Sequence, residues 1–94
     1  MNLNPADIDI DRTCKMLRYF LTPASLDLIE LLEQKKSLSK TDILEIMKPK
    51  HFTIGVTLKR LTDYFILDVE FIKGNWYYSL NYEVINSILA VIKL

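Results

Sequence analysis

Apolar positions along residues 53–66 recur with the period of a helix. Ile54, Leu58, Leu61 and Phe65 are spaced four, three and four residues apart, forming one stripe. Thr53 is placed to cap this helix, and Phe52 before it to staple onto Thr57 or Leu58. Upstream, Ser39 precedes a short helix to Met47, with Asp42 at the acidic position of a capping box. Ile43, Ile46 and Met47 form its apolar face, and Pro49 ends it because proline cannot continue the hydrogen-bond ladder. Thr22-Pro23 is another start signal, a capping hydroxyl followed by proline at the first helical position. That helix runs to about Gln34, with Leu28, Leu31 and Leu32 in an apolar stripe flanked by Leu26 and Ile29. Lys35 and Lys36 follow at its negative end.

After residue 67 the period changes from 3.6 to 2. Val69 and Phe71 alternate with Glu70 and Ile72, and Trp76, Tyr78 and Leu80 with Tyr77 and Ser79. This predicts two strands. Gly74-Asn75 suits a type II′ turn between them, and Trp76 and Tyr78 are expected on the core side with Tyr77 opposite. Terminal helices are expected over residues 5–20, opened by Asn4-Pro5, and over 82–94. Leu38, in the Ser37-Leu38-Ser39 linker, is expected to tuck into the core, and that linker is placed to add a third strand.

Two short helices joined by a tight turn and followed by a β-hairpin make a winged helix-turn-helix. The expected fold is α+β, mostly α, in one domain over residues 1–94. The helix-turn-helix spans about 39–66 and the wing about 68–81. Half of the residues are hydrophobic, and they cluster at both ends. Met16, Leu17, Phe20, Ile85, Ile88, Leu89 and Ile92 are therefore read as a homodimer interface.

Charge sharpens this picture. The net charge is zero, but residues 35–60 carry seven basic side chains against two acidic ones, a local +5 on the helix-turn-helix. Phosphate binding responds to such a local footprint more than to the total. Cys14 is the single cysteine, which rules out an internal disulfide and fits a reducing cytoplasm. The acidic N-terminal residues do not resemble a signal peptide, and no apolar stretch approaches the length of a membrane span.

The sequence resembles the bacterial and archaeal ArsR-type winged-helix family of small dimeric repressors over roughly residues 17–81. Leu21-Thr22-Pro23-Ala24-Ser25-Leu26 is similar to that family's Leu-x-x-Pro-x-Arg-Leu stretch, with Ser25 where the family has arginine. Leu38 through Ile43 resembles its entry to the helix-turn-helix, and Phe52 through Leu61 its recognition helix. Tyr64-Phe65-Ile66-Leu67 departs from the family's pattern by lacking a glycine. The resemblance raises metal sensing, which needs three or four convergent thiolate, imidazole or carboxylate ligands. Cys14 and His51 lie in unrelated segments, so no metal or other cofactor is expected. No paired histidine and carboxylate and no glycine-rich phosphate loop is present, so an enzyme is not expected either.

The expected partner is double-stranded DNA. Thr53, Val56, Thr57 and Arg60 fall opposite the apolar stripe and form the reading face. Arg60 is suited to guanine or phosphate, Thr57 to a base edge and Val56 to a thymine methyl group. Gly55 permits close backbone approach. Lys40, Lys50, His51 and Lys59 suit phosphate contacts, as does Lys73 at the wing tip. The expected activity is repression from an inverted repeat by a homodimer. The alternatives are a DNA-segregation adaptor and a winged helix that binds only protein.

Overall fold

The computed structural model describes residues 17–92, with side-chain environments given through Ala90. The sequence-based start of the first helix, Met16 and Cys14 lie outside the described residues, as do the side chains of Val91 and Ile92. Residues 17–20 are helical (α1). Then follow α2 (Pro23–Lys35), β1 (Ser37–Ser39), α3 (Lys40–Met47), α4 (Ile54–Asp63), β2 (Leu67–Ile72), β3 (Asn75–Leu80) and α5 (Tyr82–Ile92). The strands form one antiparallel sheet in the order β1-β3-β2. This is a winged helix, with the short linker strand completing the wing sheet as expected.

Capping chemistry sets the helix starts. Thr22 accepts a hydrogen bond from the Ser25 amide, and Ser39 accepts one from the Asp42 amide. Asn81 does the same for the Val84 amide at α5, a cap with no counterpart in the sequence reading. Thr53 is the N-cap residue of α4 but makes no side-chain capping bond. Phe52 is 83% exposed, so the expected staple onto Thr57 or Leu58 does not form.

Leu28, Leu32, Ile43, Ile54, Leu58, Leu61 and Ile66 are all essentially inaccessible and make the centre of the core. The stripe of α4 is as expected through Leu61 but does not reach Phe65. The helix stops at Asp63 in a Schellman motif: the Phe65 amide bonds the Thr62 carbonyl, and the Ile66 amide bonds the Leu61 carbonyl. Phe65 holds the left-handed position, φ 61°, that the missing glycine would occupy. It therefore points to solvent, and Ile66 takes its place in the core.

Three other expectations are corrected. Ile46 is half-exposed because α3 buries Ile43 and Met47 through an i, i+4 pair, with Leu44 beside them. Leu26 is exposed on the outer flank of α2. The hairpin turns at Lys73-Gly74, since Ile72 pairs with Asn75. Both central residues have positive φ (50° and 84°), the pattern of a type I′ turn rather than type II′.

The inner face of the hairpin carries the cross-strand pairs Leu67–Leu80, Val69–Tyr78 and Phe71–Trp76. The first pair is buried, and Tyr78 still packs on the core, where burial pushes its phenol upward. The sheet then outruns the helices. Phe71 and Trp76 remain more than half exposed or close to it, with ring centroids 4.8 Å apart. Trp76 thus sits on the expected face but beyond the core.

Candidate nucleic-acid interface

The exposed side of α4 follows from the three residues it buries. With Ile54, Leu58 and Leu61 facing inward, 100° per residue places Val56 and Asp63 on the opposite crest. Gly55, Lys59 and Thr62 fall on one flank of the crest, and Thr53, Thr57 and Arg60 on the other. Each flank borders a groove.

On the wing side, a groove of about 540 Å³ has Leu58, Val69 and Tyr78 among its lining residues. Trp76 walls it, and Lys40 and Lys59 contribute cationic groups. A Cβ added at Gly55, also on this groove, would meet no atom within 4 Å. Lys59 reaches Asp63 at 3.2 Å, an exposed i, i+4 pair of the kind worth little net stability.

On the other flank, a hollow of about 290 Å³ brings together Tyr19, Thr22, His51, Thr53, Thr57 and Arg60. The guanidinium carbon of Arg60 stands 4.6 Å from the Tyr19 ring centroid, a cation–π contact. Tyr19 is itself tilted against Tyr64, centroids 5.8 Å apart. Ser25, the position where the resembled family has arginine, is 1% exposed and donates to the Tyr19 carbonyl. The single Thr22 hydroxyl proton faces Ser25 Oγ at 2.9 Å, with the same carbonyl 3.3 Å away. These bonds fix the corner between α1 and α2, and with it the ring under Arg60. A long charged side chain has no room at that position.

The turn between α3 and α4 is tied down as well. The His51 amide bonds the Met47 carbonyl at 2.8 Å. The His51 ring bonds the Asp27 carboxylate on α2 at 2.6 Å, and Lys50 reaches the same oxygen at 3.2 Å. The hydrogen bonds from His51 and then Lys50 hold the Asp27 carboxyl below its ordinary value of 3.8. The His51 side chain is only 13% exposed. Sequence reasoning placed it at the surface, facing phosphate. Its partner Asp27 lies 24 positions earlier, with no sequence signal linking the two.

The positions assigned to DNA from the sequence therefore separate into groups. Gly55, Val56, Lys59 and Arg60 are exposed on α4, Thr53 is exposed at its N-cap, and Thr57 is half-buried beside them. Lys40 lies on the wing-side groove, Lys73 is exposed in the hairpin turn, and Lys50 and His51 are paired to Asp27. The positions assigned to dimerisation divide too. Phe20, Ile85 and Ile88 are buried in the chain's own core, and Leu17 packs against it. Leu89 is 39% exposed. Among the described residues, no three histidine, cysteine, aspartate or glutamate side chains cluster to hold a metal, and no helix is long and apolar enough to cross a membrane.

No protein-family model matches this chain, and no curated protein matches it in sequence. Among solved structures the chain is similar to the crystal structure of AntR, an antimony-specific transcriptional repressor. The TM-score is 0.62 at 21% sequence identity, and the match covers 99% of this chain and 95% of that one. The likeness shows a shared winged-helix fold over essentially the whole of both chains.

Proposed function

We propose that the protein is a sequence-specific DNA-binding transcriptional repressor that reads duplex DNA with α4. The observation that carries this reading is the charge on the helix-turn-helix. The seven basic side chains of residues 35–60 are all exposed; Lys59 and Arg60 stand on α4, Lys40 borders its wing-side groove and Lys50 lies in the turn before it. A convex helix flanked by cations fits a major groove between two phosphate backbones. The repressor role of the similarly folded AntR supports the regulatory part of the reading. A homodimer would place two copies of α4 on the half-sites of an inverted repeat. Of the described residues assigned to that interface, Leu89 on α5 supplies exposed apolar surface.

The wing favours a second reading, a protein-interaction module. Its strands carry Asp68 and Glu70, its turn carries Lys73, and its end exposes Phe71 and Trp76. That surface anchors phosphate weakly.

Selection of bound duplexes from a randomised library by the purified full chain separates the two. Enrichment of a symmetric site supports the dimeric repressor. Absence of any enriched site, with no duplex bound at low salt, overturns DNA reading and leaves the protein-interaction module.

A further inference from the structure

The exposed crest of α4 carries Val56 in its first turn and Asp63 two turns further on, and several of the polar head groups around Val56 are engaged by other side chains. Phe52, in the turn leading into α4, is 83% exposed, the most accessible of the large hydrophobic side chains among the described residues. Val56, four residues on and opposite the buried stripe, is 49% exposed. Lys50 and His51 are held by Asp27, Arg60 lies over Tyr19, and Lys59 reaches Asp63. Each of these contacts engages a polar head group with another side chain of the protein.

An exposed phenylalanine and valine flanked in the chain by Lys50, Lys59 and Arg60 constrain the occupant. The lysines and Arg60 disfavour a basic partner and match a polyanion. The apolar pair requires that the polyanion present an apolar group beyond its charged backbone. In the major groove of duplex DNA, the apolar group among the base edges is the C5-methyl of thymine. Space supports the same occupant, because a side chain added at Gly55, next to Val56, would meet nothing within 4 Å. A base pair can come close to the helix backbone there.

We propose that Phe52 and Val56 contact thymine methyl groups, so that the recognised sequence is specified mainly by methyls rather than by arginine–guanine hydrogen bonds. This rests on the DNA-reading function proposed above and names what that site reads. Phe52 is then a base-contacting residue just outside the helix, and Arg60 is a backbone clamp steadied by Tyr19.

The test uses the full chain and a duplex obtained from the randomised library. Each thymine is replaced singly by deoxyuridine, which lacks only the C5-methyl group, and affinity is measured by fluorescence anisotropy. The expected result is a loss of about four-fold at each contacted position, the equivalent of burying one methylene-sized group. Phe52→Ala and Val56→Ala, both at exposed positions, are each expected to bind the thymine and uracil duplexes alike at one such position. Equal affinity of the unaltered protein for thymine and uracil at every position overturns methyl readout while leaving DNA binding intact. So does discrimination that survives both substitutions. Loss of self-association in Phe52→Ala with unchanged discrimination overturns it as well, assigning the patch to a second copy of the chain. Absence of any bound duplex overturns the underlying DNA-reading function instead.

Discussion

The Arg60 guanidinium rests 4.6 Å from the centre of the Tyr19 ring, joining the outer flank of α4 to the end of α1. A contact of this kind at an exposed site is worth about 0.5–1 kcal/mol. Its larger effect is on freedom, since it holds a flexible side chain in one place before any ligand arrives. Tyr19→Ala is expected to weaken duplex affinity by about two- to five-fold, the same free energy expressed as a ratio. Tyr19→Phe keeps the ring face and is expected to bind like the unaltered protein. Anisotropy titrations of both variants check this, with an unchanged Tyr19→Ala counting against a preorganised Arg60.

Asp27 links α2 to the helix-turn-helix turn through His51 and Lys50. Its carboxyl is held below the ordinary 3.8, so the folded state favours the ionised form more than the unfolded chain does. The stability this contributes is present above the ordinary value and is lost as pH falls through the lowered one. Urea midpoints measured from about pH 5 down to pH 2.5 should fall in that window. Asp27→Asn is expected to flatten that decline and to lower the midpoint near pH 6, where the unaltered carboxylate is ionised.

Phe65 occupies a left-handed backbone conformation with its side chain 64% exposed. An L-residue with a Cβ is destabilised there by roughly 1–2 kcal/mol, and glycine avoids that strain at some cost in unfolded-chain entropy. Phe65→Gly is expected to raise stability by about 0.5–1 kcal/mol in urea unfolding, the strain relieved less that entropy. A loss of stability would show that the phenylalanine ring contributes packing its exposure does not reveal.

Trp76 is the only tryptophan, half-exposed on the groove between α4 and the wing, and so reports on that groove directly. A DNA strand lying between Lys59 and the wing would shield it. Acrylamide quenching of its fluorescence is expected to drop when a saturating duplex is added. Unchanged quenching with bound DNA would show that the wing-side groove stays open in the complex.

Much of the fold was legible because local chemistry and burial agreed. Ile54, Leu58 and Leu61 repeat with the helical period and are buried, and Thr22-Pro23 and Ser39 start helices where capping chemistry requires. The misreadings share a cause. Phe65 continued the apolar period of α4, but periodicity carries no information about a backbone that leaves the helix two residues earlier. Trp76 continued the alternation of β3, but alternation assigns a face and not how far the helical layer extends beneath it. In the candidate site, the exposed face of α4 could be read from its stripe. The contacts of His51 with Asp27 and of Arg60 with Tyr19 could not, because each joins residues on separate elements that meet only once the core has formed.

The most direct test of DNA reading by α4 is the salt dependence of affinity for a library-selected duplex, compared between the unaltered chain and its Lys59→Ala and Arg60→Ala variants. The account predicts a steep fall of log affinity with log salt for the unaltered chain, and a slope shallower by about one for each variant. Slopes that are the same in all three proteins, or no duplex binding at about 50 mM salt, would contradict it.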